Sequence, residues 1–187
     1  MALIASVFVA TSLDGFIARV GGELDWLDAQ NAIVPEGEDC GYNAFIESVD
    51  SLIMGRKTYE KVLSFGQWPY GDKPVIVLSH NKIEIPDRLA PTVSHSSESP
   101  KALYERFKQE GVQRLYIDGG ITIQQFLMEG FIDEIAITVI PIILGSGIPL
   151  FGQLEKEIQL KHIKTKTYDF GFVQSTYKVL KRKSNHE

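Results

Sequence analysis

The chain has 187 residues, of which 44% are hydrophobic, and its 19 lysines and arginines stand against 24 aspartates and glutamates, giving a formal net charge of −5. An acidic chain with no basic run of five or more residues is a poor candidate for binding nucleic acid or an anionic membrane. Cys40 is the only cysteine, so an intramolecular disulfide is excluded and a cysteine-based metal site is disfavoured. At this length we predict a single domain over residues 1–187.

Two apolar stretches resemble targeting or membrane signals but do not meet their requirements. Met1–Ala10 has no positive flank and runs into Thr11–Gly15, which is typical of a first core strand and its turn. Ile135–Leu144 is about half as long as a membrane-spanning helix and contains Pro141. We therefore predict a cytoplasmic protein.

Apolar runs of strand length alternate along the chain with segments of helical periodicity. The segment after the first strand is irregular for roughly thirty residues, and such a stretch inside a domain is often functional. The stretch Ile85–Pro91 is punctuated by two prolines. In chain order the predicted elements are a strand at Leu3–Ala10, a helix from Tyr42, a strand at Ser51–Met54, a helix at Lys57–Leu63, a strand at Val75–Leu78, a helix from Ser99-Pro100 to Gly111, a strand at Leu115–Ile117, a helix at Thr122–Glu129, a strand at Ile135–Ile140, and a hairpin of Ile158–Thr167 and Phe172–Leu180.

Strands that alternate with helices through short connections indicate a mostly parallel central sheet with helices on both faces. The terminal hairpin adds antiparallel strands at one edge. The predicted fold class is therefore α/β with a C-terminal antiparallel hairpin. In such sheets ligands bind beyond the carboxyl ends of the strands, so the residues that follow each strand are the candidates for a site.

Two of these strand ends are suited to binding phosphate through the backbone. Gly55 lets a ligand approach the chain where a helix begins at Arg56 or Lys57 with free N–H groups. Gly119-Gly120 opens another helix and offers the same arrangement.

A third strand end carries Ser79, His80 and Lys82, which offer hydroxyl, imidazole and ammonium donors. Each signal is weak alone, but the three together indicate a polyanionic cofactor. The glycine fingerprint of standard dinucleotide-binding dehydrogenases is absent, which disfavours a plain NAD-linked dehydrogenase. A P-loop is also disfavoured, because Asp50 stands where its first glycine is required.

Five sequence blocks occur in the order found in one known superfamily. They are Ala10–Ala18, Met54–Glu60, Val77–Ser79, Gly119-Gly120 and Gln125–Leu127. Together they resemble the dihydrofolate reductase superfamily, and the match spans nearly the whole chain. Within it, Ser12–Gly15 and Pro141–Phe151 are more similar to the reductase domain of riboflavin biosynthesis and its stand-alone relatives.

The resemblance implies a dihydrofolate reductase-like fold and an NADPH-dependent reductase. The cations Arg56, Lys57 and Lys82 favour NADPH over NADH, because the extra phosphate is matched by extra positive charge. The implied contacts are Gly55, Arg56, Lys57 and Thr58 for the pyrophosphate and adenosine phosphate, Leu78, Ser79 and His80 for the adenosine side with its 2′-phosphate, Gly119, Gly120, Ile121 and Thr122 for the pyrophosphate, and Val9, Ala10 and Ile17 for the nicotinamide.

On the substrate side the resemblance implies three candidate catalytic residues, each with a simpler alternative. Asp39 matches the buried carboxylate that relays a proton, but its place before Gly41 and the helix from Tyr42 also suits a helix cap, which we favour. Trp26 lies where these reductases carry a tryptophan in the loop over the substrate, or else it is an aromatic plug. Thr138 lies where a strand threonine approaches the ring-binding carboxylate, or else it is an ordinary β-branched strand residue.

Two departures from the family leave the substrate open. Tyr70–Pro74 has no arginine to hold a folate carboxylate, and Glu23–Asp28 is acidic where the riboflavin reductase domain has residues suited to a sugar phosphate. We therefore expect hydride transfer to a small heterocyclic or imine acceptor, pterin-like or aminopyrimidine-like by resemblance. The alternative is a non-catalytic NADP(H)-binding module that has lost its substrate site.

No metal site is predicted, because the four histidines are scattered without helical pairing or a nearby carboxylate pattern. We expect a homodimer, because relatives pair and the apolar segment Pro141–Phe151 would need covering. The other expected partner is a small-molecule substrate.

Overall fold

The computed structural model of the protein describes residues 2–181. The predicted domain of residues 1–187 therefore extends past the described part at both ends. The elements are, in chain order, β1 (Ile4–Ser12), β2 (Phe16–Ala18), α1 (Asp25–Asn31), α2 (Tyr42–Glu47), β3 (Ser51–Gly55), α3 (Arg56–Leu63), β4 (Val75–Leu78), β5 (Val93–Ser96), α4 (Pro100–Gln109), β6 (Arg114–Asp118), α5 (Gly120–Met128), β7 (Glu134–Ile140), β8 (Ile148–Pro149), β9 (Leu160–Thr167) and β10 (Val173–Val179).

An eight-stranded sheet has the order β5-β4-β3-β6-β1-β7-β10-β9. The strands from β5 to β7 are parallel, and β10 and then β9 complete the sheet as antiparallel strands. The short strands β2 and β8 pair with each other in a separate sheet. The predicted α/β class, with a mostly parallel sheet and a C-terminal antiparallel hairpin, is confirmed.

Helices cover both faces of the sheet, as the sequence predicts. One face buries Leu103 and Phe107 of α4 together with Phe126 of α5. The opposite face buries Tyr59 and Val62 of α3. Each large apolar side chain removed from water in this way stabilises the fold by roughly 1.5–3 kcal/mol. None of the helices within residues 2–181 is long and apolar enough to cross a membrane.

The start of α4 shows how local sequence fixes a helix boundary. Oγ of Ser99 accepts a hydrogen bond of 3.2 Å from the backbone N of Ala102, and Pro100 occupies the first helical position. Proline costs nothing there, because the first N–H of a helix has no partner inside the helix. The predicted helix start at Ser99-Pro100 is confirmed.

Several short elements lie where the sequence predicts no regular structure. α1 and β2 occupy the irregular segment after β1, and β8 lies in the glycine- and proline-rich loop after β7. β5 follows the stretch with two prolines, and only Val93 of its four residues is buried. An edge strand of this kind has no apolar run, so periodicity does not reveal it. β1 also continues beyond its predicted end at Ala10 to Ser12.

Nothing within residues 2–181 covers β9, the last strand of the sheet, on either face. All eight of its residues are exposed, and Lys161, Lys164 and Lys166 are among them. Its pairing with β10 shifts register between Thr176 and Tyr177, as expected for a bulge in a strongly twisted hairpin.

Candidate active site

The carboxyl ends of the parallel strands bring the predicted phosphate-binding residues together. In the register of the sheet, Gly55 at the end of β3 is the partner of Leu78 at the end of β4. Met54 of β3 is the partner of Asp118 at the end of β6, directly before Gly119. Residues that are far apart in sequence therefore lie side by side along one edge of the sheet.

Two helices begin next to each other at this edge, and each packs against the glycine that precedes the other. Gly55 precedes α3 and Gly119 precedes α5, and neither helix has a side-chain cap. A Cβ atom added to Gly119 would overlap Oγ1 of Thr58, and one added to Gly55 would lie 3.0 Å from Oγ1 of Thr122. The glycines therefore allow two positive helix ends to converge, which suits a pyrophosphate.

Two lysines, an arginine and a histidine follow the ends of β3 and β4, near this pair of helix ends. Arg56 and Lys57 occupy the first turn of α3 and are exposed. Nη1 of Arg56 lies 3.9 Å from Oε1 of Glu60 across one helical turn. His80 and Lys82 are exposed beyond the end of β4. These groups are free to turn toward an anionic ligand.

Ser79 is held in place by its neighbours in a way that the sequence does not reveal. The backbone N of Ser79 donates to the carbonyl oxygen of Ser96 at 3.0 Å. Nε2 of His95 lies 2.7 Å from the carbonyl oxygen of Ser79. Oγ of Ser79 accepts from the backbone N of Asn81 at 3.1 Å, which leaves its hydroxyl hydrogen available as a donor. The strand β5, which supplies Ser96 and His95, is among the elements that periodicity misses.

The residues predicted near the nicotinamide are distributed over three places. Val9 packs into the core beneath α4 and α5, whereas Ala10 faces the opposite side of the sheet and lines a cleft. Ile17 lies in β2, and a Cβ atom added to Gly120 would be 3.0 Å from its Cδ1. Ile121 is 64% exposed next to that contact. Of the three predicted nicotinamide contacts, only Ala10 lines the cleft.

The cleft has a volume of about 310 Å³ and opens beyond the ends of β1 and β7. Its charged lining residues are Glu38 and Asp39, both acidic. The nearest described cation to Glu38, Lys166, is already paired with it at 3.6 Å. The apolar walls come from Phe8, Ala10, Leu27, Val34, Ile140 and Phe172.

Asp39 lines the cleft as an exposed carboxylate bound to the backbone. Oδ2 accepts from the backbone N of Asn43 at 2.8 Å, and Oδ1 accepts from the backbone N of Gly41 at 2.7 Å. These two hydrogen bonds are the main reason that the pKa of Asp39 lies below its usual value. The contacts are those of the helix-capping alternative, at the start of α2.

Trp26 lies in α1 and is only 2% exposed. It packs in a cluster with Ile140, Tyr168 and Phe172. Its neighbour Leu27 lines the cleft, whereas Trp26 does not. Its indole Nε1 has no hydrogen-bond partner among the described residues. The surroundings are those of the aromatic-plug alternative.

Thr138 lines the cleft from β7 and is 5% exposed. Its Oγ1 accepts a hydrogen bond of 2.9 Å from Nε2 of Gln174. The sequence does not single out Gln174, because a polar residue in a hairpin is normally exposed, and its position opposite Thr138 depends on the register of β10 with β7.

Asp118 is a partly buried carboxyl group at the end of β6 that the sequence does not single out. Oδ1 accepts from the backbone N of Gly119 at 2.8 Å, and Oδ2 accepts from the hydroxyl of Tyr70 at 3.4 Å. Burial is the largest influence on it and raises its pKa above the usual value. The pKa of nearby Tyr42 is raised to about 12, first by burial and then by the charge of Asp118.

No group of three or more histidine, cysteine, aspartate or glutamate residues is arranged to hold a metal ion within residues 2–181. His186, one of the four scattered histidines, lies outside the described residues. The candidate site is therefore built from backbone N–H groups, exposed cations and an apolar cleft with an acidic rim.

Comparison with known proteins identifies the family to which the chain belongs. The model of the RibD C-terminal domain family matches residues 5–173. The uncharacterized protein YwjB of Bacillus subtilis (strain 168) is 42% identical over 166 residues, which cover 87% of this chain and 90% of that protein.

Among solved structures, a protein from Shewanella sp. PV-4 named as a candidate riboflavin biosynthesis protein has a TM-score of 0.89 and 43% identity, covering 96% of this chain and 100% of its own. Dihydrofolate reductase from Enterococcus faecalis, complexed with NADP(H) and RAB-propyl, has a TM-score of 0.61 and 18% identity, covering 95% of this chain and 96% of its own. The second likeness shows a shared fold. The protein has the dihydrofolate reductase-like fold and belongs to the RibD C-terminal domain family.

Proposed function

We propose that the protein is an NADPH-dependent reductase that transfers hydride to a small heterocyclic or imine acceptor, pterin-like or aminopyrimidine-like. The observation that carries the proposal is the pair of adjacent, uncapped helix ends before α3 and α5, beside a cleft at the same edge of the sheet. The solved Enterococcus faecalis dihydrofolate reductase, which shares this fold, is complexed with NADP(H).

The residues present fit NADPH. The converging ends at Gly55 and Gly119 would bind the pyrophosphate through backbone N–H groups, where both helix dipoles favour negative charge. Arg56, Lys57 and the hydroxyl of Ser79 would hold the 2′-phosphate, since they surround the neighbouring strand ends. When bound, the cofactor supplies the hydride.

The rim of the cleft restricts the acceptor molecule. Glu38 and Asp39 are its charged lining residues, and Lys166 is paired with Glu38 at 3.6 Å. An incoming phosphate or carboxylate would meet negative charge without a free cation among the lining residues. We infer that the acceptor is neutral or cationic and carries no phosphate.

The two carboxyl groups of the site differ in their ability to hold a proton. Hydrogen bonds from the backbone lower the pKa of Asp39, so it is ionised at neutral pH. Burial raises the pKa of Asp118, which lies at the strand end before Gly119. We infer that Asp118 is better suited than Asp39 to hold a proton beside the cofactor.

The first experiment is a fluorescence titration with NADPH and NADH. The wild type is compared with Arg56→Ala and Ser79→Ala, and with Lys108→Ala, a control cation that pairs with Glu105 at 3.8 Å on α4, away from the site. We expect tighter binding of NADPH than of NADH and a loss of roughly tenfold or more in the first two variants only.

Binding of neither nucleotide would refute the proposal, and equal losses in all three variants would refute the assigned phosphate contacts. A screen of pterins, pyrimidines, aldehydes and imines then tests turnover. Saturable NADPH binding without turnover of any of them would favour the alternative, a non-catalytic NADP(H)-binding module.

We also propose that the protein acts in the cytoplasm as a homodimer. Asp14 anchors the segment after β7 by accepting from the backbone N of Leu144 at 3.1 Å and of Gly145 at 2.7 Å. This anchored segment presents Ile143, which is 69% exposed, and Phe151, which is 40% exposed. A second copy that covers these side chains would remove them from water.

A further inference from the structure

Gln174 of β10 and Thr138 of β7 are direct partners in the antiparallel register, so their side chains lie on the same face of the sheet. Nε2 of Gln174 lies 2.9 Å from Oγ1 of Thr138 and 2.9 Å from the carbonyl oxygen of Cys40. Thr138 and Cys40 both line the cleft. The amide of Gln174 therefore hydrogen-bonds to two residues that line the cleft.

The chemistry of the three groups fixes the direction of both hydrogen bonds. A backbone carbonyl oxygen can only accept, so the nitrogen of the Gln174 amide, and not its oxygen, faces Cys40. The same nitrogen reaches Thr138, and because an amide NH₂ has two hydrogens and only donates, the Thr138 hydroxyl accepts the second hydrogen.

In this arrangement the hydroxyl hydrogen of Thr138 has no acceptor among the described residues. In the part of the chain that the structure describes, Oγ1 of Thr138 makes no other hydrogen bond. Because Thr138 is almost fully buried at the cleft wall, a donor without a partner there is unfavourable. A ligand that offers an acceptor at this point satisfies the hydroxyl, whereas one that offers a donor does not.

We propose that Gln174 determines the specificity of the cleft by making the Thr138 hydroxyl a hydrogen-bond donor to the ligand. The inference rests on the proposed function and deepens it, because it defines the edge of the acceptor molecule. The selected ring presents a carbonyl oxygen or an unprotonated ring nitrogen to β7, and a ring with an amino group at that point is disfavoured. Thr138 makes the contact, and Gln174 is a positioning residue.

Gln174 also supports the loop that forms the opposite wall. Cys40 has a φ of 54°, a conformation that side-chain-bearing residues rarely adopt. Its backbone is held from both sides, because its N donates to Oε1 of Glu38 at 2.7 Å and its carbonyl oxygen accepts from Gln174. A test of Gln174 must therefore change the polarity of the amide while keeping its shape.

The test compares two pteridines in calorimetric titrations of the full chain. Lumazine carries two carbonyl groups, and 2,4-diaminopteridine carries amino groups at the same positions. We expect the wild type to bind lumazine more tightly by roughly tenfold or more, since a site that hydrogen-bonds one group rejects a mismatched one. Thr138→Val should bring the affinity ratio close to one, and Thr138→Ser should keep it.

Gln174→Glu keeps the shape but replaces the donating NH₂ with an acceptor, so the Thr138 hydrogen turns away from the cleft and the ratio falls. It also loses the hydrogen bond to the Cys40 carbonyl, which Thr138→Val leaves in place, so the two variants are compared. Thr165→Val is the matched control, because Oγ1 of Thr165 pairs with Oγ of Ser175 at 2.8 Å in the same hairpin, where all of β9 is exposed. It should leave the ratio unchanged. Thermal unfolding of each variant verifies that it is folded.

The inference would be overturned if the wild type bound lumazine and 2,4-diaminopteridine equally well. It would also be overturned if both Thr138→Val and Gln174→Glu kept the wild-type affinity ratio. Failure of both pteridines to bind would overturn it as well, because the cleft would then not accept such rings. NADPH titration of the same samples separates the two proposals. Intact NADPH binding with a failed ratio refutes this inference alone, whereas loss of NADPH binding by the wild type refutes the proposed function.

Discussion

Thr58, in the first turn of α3, fills the space beside Gly119, the residue that precedes α5. A Cβ atom at Gly119 would overlap Oγ1 of Thr58, and the φ of Gly119 is 88°. The reverse contact between Thr122 of α5 and Gly55 makes the arrangement reciprocal. Two helix ends therefore approach each other through a pair of glycine–threonine contacts, which is the structural basis of the proposed pyrophosphate site.

Gly119→Ala is expected to destabilise the protein by more than Gly111→Ala. Both glycines have a positive φ, 88° and 78°, so each substitution incurs a backbone cost. Gly119 also has a ψ of 134°, which lies outside the left-handed helical region and close to one that is almost confined to glycine. Only the alanine at position 119 also meets Thr58, because nothing lies within 4 Å of the added Cβ at Gly111. Denaturant unfolding measures the difference, and NADPH affinity should fall only in the Gly119 variant.

The double variant Gly119→Ala/Thr58→Ala provides the internal check on this explanation. Removal of Oγ1 from Thr58 takes away the nearest atom, so part of the lost stability should return. Equal destabilisation by Gly119→Ala and Gly111→Ala would contradict the importance of the contact.

Asp118→Asn is expected to stabilise the protein increasingly as the pH rises above about 4. The raised pKa of Asp118 means that the folded state holds this proton more tightly than the unfolded chain, in which the pKa is ordinary. The wild type therefore loses stability relative to the variant as the pH increases from the unfolded pKa through the folded one. Urea unfolding at a series of pH values measures the slope, and a flat difference would contradict the assignment.

Asp39→Asn is expected to show the opposite dependence on pH. Because the pKa of Asp39 is lower in the folded state, the ionised carboxyl stabilises the protein at pH values above its ordinary, unfolded pKa. This contribution disappears as the pH falls through the folded pKa. Because Asp39 is exposed, we expect a loss of only about 0.5 kcal/mol at pH 7. Once an accepted substrate is known, turnover in Asp39→Asn should keep the pH profile of the wild type. A lost proton-transfer limb in that profile would instead support a relay at Asp39.

The proposed homodimer predicts a change of mass with one exposed substitution. Ile143→Asp should shift the protein from a dimer to a monomer in light scattering coupled to size exclusion at micromolar concentration, because a charge would be buried in the interface. Val20→Asp, at a residue that is 74% exposed in the turn after β2, is the control and should leave the mass unchanged. A monomeric wild type would refute the homodimer.

The parts of the fold that the sequence predicts are those in which local pattern and tertiary burial agree. Leu52 and Ile53 of β3 belong to an apolar run that the sheet buries completely on both faces, so the run predicts a strand. Gly55 and Gly119 each lie at the end of a strand and precede a helix, so the sequence also predicts that these helix ends are candidates for the proposed phosphate site. β5 could not be predicted in this way, because Val93 alone gives no pattern.

The unpredicted parts of the site depend on contacts between distant residues. Tyr70 is separated by 48 positions from Asp118, and burial by such neighbours changes a turn aspartate into a carboxyl with a raised pKa. Gln174 is separated by 36 positions from Thr138, and only the register of two strands makes them partners. Neither relationship leaves a periodic trace in the sequence, because each rests on one pair of residues.

The exposed edge strand β9 has a consequence for the behaviour of the protein in concentrated solution. An open edge offers backbone groups with which another strand could pair. Lys161 and Lys164 place like charges there, while Lys166 is paired with Glu38, so two molecules that approach edge to edge repel each other. Acetylation of these lysines would remove the repulsion and leave the core untouched. Growth of aggregates by strand addition, rather than unfolding, is then the expected first sign of damage.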